Sequence, residues 1–453
     1  MSDHAVVIAS PHRRRTRAGA KALSLWLYVS LILAHGLVLF ALIPAATHFL
    51  HNSYNLNEYA DGYDQLARNL VDGNGYKMYP DTASTLTREP GYPLVLACLF
   101  KLFGENLIAV KMTNMALAFG TAWWVTCIAR RFSRSRLFAS GPPLLFLFCP
   151  GTLAAESRGG VELLFSFCLM AFLVALYKAI ETNAWLDYLV SGAVLGAATL
   201  VRSTPMLFPV PLLLMLLVRR RSTPTIAVVG RITAMIGMML VVLSPWIIRN
   251  YGLTGKFIPT ASVLGISADA GLYDVTHYGD GESWAAIDTD GARARKKVAT
   301  ELGYPYKNIQ NAYYQDFYAT GDEIRFSDYL LHRVISTYKA QPLLFFRNVC
   351  LNFFNLWFRG KTSFATLFNV CLQLPFLILT AIGLWICKQK TLFGIALPSL
   401  LLVLYMTGLY VTILAQARYS VPLVPILAVF AWIPLFESRR RFSLSIRRPD
   451  PIA

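Results

Sequence analysis

About ten apolar stretches divide this chain, and they restrict the folds open to it more than any other feature does. A run of 18 or more apolar residues can cross a bilayer, and only helices or closed barrels satisfy their backbone groups there. Of the 453 residues, 55% are hydrophobic. We therefore predict an all-α polytopic membrane protein. The predicted spans are 24–46, 106–129, 137–153, 161–180, 186–202, 205–218, 226–247, 364–387, 391–413 and 420–436.

Basic residues lie at the ends of alternate spans and predict the orientation of the chain. The formal net charge of +17 could suggest nucleic acid as a partner. However, the basic clusters border apolar spans, which is the pattern of cytoplasmic loops, with anionic membrane lipids as a secondary partner. We therefore expect no nucleic acid and two cytoplasmic termini. The clusters lie at 13–15, 130–136, 219–221, 388–390 and 439–441.

The same pattern predicts the domain organisation. The long exoplasmic segment has helical spacing at 321–340, and an amphipathic stretch at the membrane surface follows at 343–358. The predicted regions are a basic cytoplasmic N-terminus (1–23), a transmembrane core (24–248) with a first exoplasmic loop (47–105), a long exoplasmic segment (249–363), C-terminal transmembrane helices (364–437) and a basic cytoplasmic tail (438–453).

The first exoplasmic loop carries an unusual set of carboxylates and aromatic residues. A helix over 57–72 would place Asp61 on a polar face that points into an exoplasmic cavity. The other face, with Tyr59, Tyr63, Leu66 and Leu70, would lie in lipid. A carboxylate in such a cavity can accept the proton of a hydroxyl that attacks an anomeric carbon. The alternative is a solvated carboxylate that interacts with the helix dipole.

A turn with Arg88 and Glu89 follows, fixed by Pro90 and Pro93. An arginine at headgroup depth suits a phosphate, although it could also be an interfacial anchor. Further ionisable residues border spans at the same face. Placing such residues in or near a bilayer costs free energy, so a functional role is expected for them. They are Glu156, Arg158, Glu162, Arg202, Arg249 and Arg418. Asp288-Thr289-Asp290 has the spacing of a metal-binding pattern, but Gly291 follows it and a turn or helix cap is favoured.

Several motifs together resemble those of GT-C type membrane glycosyltransferases, in particular the family 39-like group of protein mannosyltransferases and aminoarabinose transferases. They recur in order over about 57–436. The motifs are Asp61-x-Tyr63-x-x-Leu66-Ala67-x-Asn69-Leu70, Gly73-x-Gly75-Tyr76, Arg88-Glu89-Pro90-Gly91-Tyr92-Pro93-Leu94, Ser244-Pro245-Trp246-Ile247-Ile248-Arg249-Asn250-Tyr251, Gly255-Lys256-Phe257-Ile258-Pro259 and Arg418-Tyr419-x-x-Pro422-x-x-Pro425.

This resemblance implies a GT-C-like bundle of about ten transmembrane helices with exoplasmic loops. It also implies transfer of a sugar from a polyprenyl-phosphate donor to a lipid, glycan or protein acceptor. The implied catalytic acidic residue of the first loop is Asp61, with Glu58 as the alternative. Glu162 matches a further acidic residue, which opens a later span.

The resemblance also implies binding residues. Those for the donor phosphate are Arg88, Arg249 and Arg418, and we expect Tyr63, Glu89, Arg202 and Tyr419 to bind substrate. Some relatives bind a divalent metal, but no ligand set for one stands out in this sequence, so we name no metal ligand and no cofactor.

Two other functions remain open on the sequence alone. A transporter or flippase of an anionic glycolipid would use the same arginines, but it should also carry polar residues near the membrane midplane, whereas these gather at one face. A non-catalytic assembly partner with the same fold would not need Asp61.

Overall fold

The computed structural model describes residues 30–45, 59, 61–219, 224–277, 284–307, 317–360 and 362–437. Within these ranges every regular element is a helix, apart from two isolated bridges. In chain order the helices are α1 (Ser30–Ala45), α2 (Tyr63–Val71), α3 (Gly91–Phe103), α4 (Leu107–Phe132), α5 (Arg136–Leu147), α6 (Pro150–Glu156), α7 (Glu162–Thr182), α8 (Trp185–Val201), α9 (Pro209–Arg219), α10 (Thr225–Thr254), α11 (Leu264–His277), α12 (Trp284–Glu301), α13 (Thr320–Ala340), α14 (Pro342–Trp357), α15 (Ser363–Gln389), α16 (Phe393–Thr412) and α17 (Val424–Glu437).

Each of the ten predicted spans coincides with a helix or a pair of helices. Among the described residues, α7, α10, α15 and α16 are long and apolar enough to cross a membrane, and α5 with α6 forms a fifth such element that is bent by 58°. Shorter apolar helices match four more spans, and α4, with 26 residues, matches the span predicted at 106–129. The prediction of an all-α polytopic membrane protein is therefore confirmed.

The chain divides into two compact units, Met1–Leu56 and Asn57–Ala453. Helix α1 belongs to the first, and α2–α17 belong to the second. The core of the second unit is a continuous cluster of buried side chains, including Phe165, Leu195 and Phe430.

Side-chain caps explain why several helices begin where they do. The first amides of a helix have no partner inside it, so a preceding polar side chain can accept a hydrogen bond from one of them. Asn106 accepts from the amide of Ile108 at 2.9 Å at the start of α4. Ser135 and Thr362 act in the same way before α5 and α15.

Helices α8 and α10 pack closely because small residues on α8 let their backbones approach. A Cβ added to Gly192 would lie 2.2 Å from the carbonyl oxygen of Met235, and one added to Gly196 would lie 2.8 Å from Cβ of Val242. The four-residue spacing of these glycines is the one that membrane helices use at close contacts.

The prediction for the first loop is partly wrong. The helix begins at Tyr63 rather than at 57, because Asp61 and Gly62 adopt left-handed backbone conformations at φ 63° and 67°. The aromatic face does not lie in lipid, since Tyr63 and Leu66 are buried inside the protein. Tyr63 packs edge-to-face against Tyr92 of α3, with ring centroids 5.2 Å apart.

The long segment after α10 contains more helix than its sequence predicts. The helix predicted at 321–340 is confirmed as α13, and the amphipathic stretch 343–358 is α14. Helices α11 and α12 were not predicted. Asp288-Thr289-Asp290 lies inside α12, so the prediction of a turn or cap at this point is wrong. Ile266, Ala299, Phe326 and Leu330 form a small core between α11, α12 and α13.

The α8–α10 contact generates a stability prediction. Gly192→Ala should lower the free energy of unfolding of the purified protein by about 1–3 kcal/mol, because the new methyl group would clash with the backbone of Met235. Gly237→Ala on α10 is the matched control, since an added Cβ meets nothing within 4 Å there. Unfolding in detergent measures both, and equal stability of the two variants would contradict the close approach.

Candidate functional site

A cavity of about 310 Å³ opens where the ends of several helices of the second unit meet. One part of its wall is charged and aromatic, and the other part is apolar. The polar part consists of Asp61, Tyr63, Arg88, Glu89, Arg202, Ser203, Thr204, Thr260, Ser267, Tyr405, Tyr410, Arg418 and Tyr419. The apolar part consists of Met206, Leu207, Ala261, Val263, Leu264, Leu409, Ile413 and Leu414.

Asp61 and Arg418 form a bidentate ion pair at the edge of this cavity. Nη1 of Arg418 lies 2.7 Å from Oδ2 of Asp61, and Nη2 donates to Oδ1 at 3.0 Å. Burial alone would raise the pKa of the Asp61 carboxyl, but Arg418, with further charge from Arg88 and Arg202, holds this pKa below its usual value. Asp61 is therefore a carboxylate at neutral pH.

The backbone at Asp61 is specialised for this position. Two consecutive left-handed residues, Asp61 and Gly62, turn the chain sharply just before α2. Aspartate tolerates this conformation better than most residues, and glycine adopts it without steric cost. The turn directs the carboxylate of Asp61 at the cavity while Tyr63 begins the helix.

Arg418 lies in a short 3₁₀ helix, Ala417–Ser420, between α16 and α17. Its Nε donates to Oε1 of Gln416 at 2.9 Å. Nη1 also lies 3.8 Å from Oε1 of Glu162, a buried carboxylate at the first residue of α7. The guanidinium thus faces carboxylates from the first loop and from α7, and the negative charge around it outweighs the effect of burial and raises the pKa of Arg418.

Arg202 directly follows α8 and stacks over Tyr419, with its guanidinium carbon 4.3 Å from the ring centroid. Tyr419 in turn packs on Tyr410, with centroids 5.3 Å apart. Within the part of the chain that the structure describes, Nη1 of Arg202 has no hydrogen-bond partner. This buried nitrogen is therefore an unsatisfied donor of a residue that lines the cavity.

The Arg88-Glu89 turn is fixed by hydrogen bonds to neighbouring segments. Oε1 of Glu89 accepts from the amide of Ser203 at 2.9 Å, which joins the turn to the residue after Arg202. The Tyr76 hydroxyl lies 3.1 Å from the carbonyl oxygens of both Arg88 and Glu89. The guanidinium of Arg88 lies 5.8 Å from the ring centroid of Tyr63.

Most of the predicted site residues meet in this cavity. Those that line it are Asp61, Tyr63, Arg88, Glu89, Arg202, Arg418 and Tyr419, and Glu162 lies behind Arg418. Arg249 is not among the lining residues. It stacks on Trp246 and Tyr76 and donates to the carbonyl of Thr85 at 3.2 Å, so it braces the first loop from outside the cavity. Glu58 lies outside the described residues.

No pattern in the sequence indicated Glu323, which joins two walls of the cavity. This buried carboxylate on α13 accepts from the Thr85 hydroxyl at 2.8 Å, the Leu86 amide at 3.0 Å and the Ser262 hydroxyl at 2.5 Å. It thereby links the residues before Arg88 to those before Val263. Burial raises the pKa of Glu323 despite these hydrogen bonds.

No group of three or more His, Cys, Asp or Glu side chains within the described ranges could hold a metal ion. The arrangement instead offers a carboxylate, several guanidinium groups and an apolar wall. Such a set can hold a phosphate through charge-assisted hydrogen bonds and can take up a proton nearby.

The fold and the cavity together define a polytopic, all-α membrane protein with a charged site at the ends of its helices. Residues 87–248 match the family model described as dolichyl-phosphate-mannose-protein mannosyltransferase. This match covers a little over a third of the chain, and within it the resemblance to GT-C type membrane glycosyltransferases is confirmed. No curated protein matches the chain.

Two solved structures are also similar to this chain. ArnT from Cupriavidus metallidurans bound to undecaprenyl phosphate is 13% identical, with a TM-score of 0.39, over 90% of this chain and 78% of that one. The apo state of ArnT from Cupriavidus metallidurans is 14% identical, with a TM-score of 0.37, over 91% and 78%.

Glu323→Gln should destabilise the protein, because an amide can accept through only one oxygen and its NH₂ group would face existing donors. Each buried polar group left unsatisfied costs about 1–3 kcal/mol. Asp328→Asn is the matched control on α13, since Asp328 is exposed and its carboxylate lies 3.4 Å from Nζ of exposed Lys256. Thermal unfolding in detergent measures the difference, and unchanged stability of Glu323→Gln would refute the bracing role.

Proposed function

We propose that this chain is an integral membrane glycosyltransferase that transfers a sugar from a polyprenyl-phosphate-linked donor. The observation that carries the proposal is the joining of Asp61, three arginines and an apolar wall in a single cavity. The family match over 87–248, a range that includes Arg88, Glu162 and Arg202, supports it. The acceptor would be a lipid, a glycan or a protein on the exoplasmic side.

The arginines would bind the donor phosphate. Arg88, Arg202 and Arg418 all line the cavity, and Nη1 of Arg202 has no hydrogen-bond partner among the described residues. Met206, Leu207, Leu409 and Ile413 offer an apolar surface on which the first prenyl units could lie. A donor anchored in the bilayer by its lipid would therefore present its headgroup to the charged wall. In this arrangement Arg249 would contribute indirectly, through the Thr85 carbonyl.

Asp61 would act as the general base. The acceptor oxygen attacks the anomeric carbon and forms the new bond, its proton passes to the Asp61 carboxylate, and the carbon–phosphate oxygen bond breaks with its electron pair on the phosphate. Guanidinium groups offset the charge that grows on the departing phosphate, an effect that often dominates catalysis. Direct displacement of this kind inverts the anomeric centre. Glu58 remains the alternative base, and Glu162 would hold Arg418 in place.

The resting ion pair has a consequence for this mechanism. Asp61 is a weak base while both of its oxygens bind Arg418. A donor phosphate that engages Arg418 would compete for that guanidinium and return basicity to Asp61. Binding of the donor would thereby prepare the base.

The proposed location is a bacterial inner membrane, with both termini in the cytoplasm and the cavity on the exoplasmic side. The basic clusters at the cytoplasmic ends of the predicted spans support this orientation.

Asp61→Asn should strongly reduce the rate of transfer in protein that still folds, because the amide cannot take up the proton of the acceptor. Loss of a general base costs about 10²–10⁴-fold in rate. The assay reconstitutes the protein with polyprenyl-phosphate sugars and a lipid and glycan extract, and follows free polyprenyl phosphate by mass spectrometry. Asp64→Asn is the control, since Asp64 pairs with Arg68 at 2.8 Å and does not line the cavity.

Each outcome of this assay is distinct. Release by wild type and by Asp64→Asn, but not by Asp61→Asn, supports the proposal. Release by all three proteins would show that Asp61 is not the base, and Glu58 would be the next residue to test. A wild type that moves the donor across the bilayer without releasing polyprenyl phosphate would favour a transporter or flippase.

Arg418→Gln should move the acid limb of the pH–rate profile to higher pH. The base works only when ionised, so activity falls as pH drops through the Asp61 pKa, which Arg418 holds below the usual value. Without that charge, burial raises this pKa and the fall begins at higher pH. Measurements of kcat/KM against pH test the shift. Arg68→Gln, whose guanidinium pairs with Asp64 and Glu105, should leave the limb in place.

A further inference from the structure

Helix α14 has its polar face inside the protein and its apolar face outside. Asn348, Asn352 and Asn355 follow the i, i+4, i+7 spacing of one helix face, and all three are buried. On the other side of the helix, Leu343 and Phe346 are exposed at 82% and 63%. The asparagines therefore face the interior of the protein.

The partners of Asn348 and Asn352 belong to the turn that carries Arg418. The last carbonyls of a helix lack partners within it. At the end of α16, Nδ2 of Asn352 donates to the Val411 carbonyl at 3.2 Å, and Nδ2 of Asn348 donates to that of Thr412 at 3.4 Å. A helix distant in sequence thus caps α16.

The same side chain also holds the chain beyond the end of α16. Oδ1 of Asn352 accepts from the amide of Ala415 at 3.3 Å, three residues before Arg418. Asn352 further donates to Oδ1 of Asn348 at 3.2 Å, which orients both amides. One buried side chain therefore bridges the two sides of the turn, and the next residue, Gln416, binds Nε of Arg418.

We propose that Asn352 is a positioning residue for Arg418. It fixes the turn between α16 and the 3₁₀ helix so that the guanidinium meets Asp61 and the donor phosphate. This proposal rests on the transfer function proposed above. It adds a residue from the long exoplasmic segment, outside the matched range 87–248, whose side chain does not line the cavity.

Asn352→Ala should lower kcat/KM by tenfold or more, since a misplacement of about 1 Å at a reacting group can cost 10²-fold. It should also shift the acid limb of the pH–rate profile upward, as Arg418→Gln does. The charged groups that face Asp61 are Arg418, Arg88 and Arg202, and only Arg418 lies on the turn that Asn352 holds. A purely structural role would not move this limb.

A double-mutant cycle tests whether Asn352 affects the pH–rate profile through Arg418. Adding Asn352→Ala to Arg418→Gln should produce no further shift of the limb, because the group that Asn352 positions is already gone. Phe353→Ala is the matched control on α14, since Phe353 is 49% exposed, and it should keep wild-type kinetics. Asn352→Asp serves if Asn352→Ala does not fold, because it keeps the shape and the acceptor for Ala415 but cannot donate to Val411.

The outcomes separate this proposal from the function on which it rests. A folded Asn352 variant with wild-type kcat/KM and pH profile, in a wild type that transfers sugar, overturns the positioning role alone. A further shift in the Arg418→Gln background also overturns it. A wild type that neither releases nor binds polyprenyl phosphate overturns the proposed function and the positioning role together.

Discussion

The ion pair between Asp61 and Arg418 is the interaction around which the cavity is organised. An isolated charge in such a place would cost several kcal/mol, so each group requires the other. The two residues are 357 positions apart, and their contact closes the first loop onto the last turn of the bundle. The rest of the polar wall is arranged around this contact: Tyr419 follows Arg418 and supports Arg202, and Glu162 approaches from α7.

The helical framework could be predicted from the sequence because its cause is local. Each span is a run of apolar residues, and a run of this kind has one stable conformation in a bilayer whatever surrounds it. The bend between α5 and α6 also has a local signal, since Pro150 begins α6 directly after the break. The convergence of Asp61, Arg88, Arg202 and Arg418 on one cavity agrees with the same framework, because the first two residues lie in the first predicted loop and the other two border predicted spans.

The remaining features depend on contacts that no local pattern specifies. Periodicity identified the apolar face of α2, but it could not tell whether lipid or α3 covers that face, and α3 does. Arginine is a residue type that often binds phosphate, yet Arg249 stacks on Trp246 and Tyr76 and does not line the cavity. Glu323 binds Thr85, a residue 238 positions away. Helices α11 and α12 were missed because they belong to a small core of their own within a mixed-charge segment.

Helix α14 buries its polar face and exposes its apolar face, so its two faces contact different environments. Its apolar face, with Leu343 and Phe346, would contact lipid in the proposed orientation, while Asn348 and Asn352 bind the end of α16. In that orientation, lipid would support the turn that holds Arg418. Removal of the bilayer from this face would then weaken the support of this one turn, while the close packing of α8 against α10 would remain. A delipidated preparation can thus be monodisperse, fully helical and inactive at the same time.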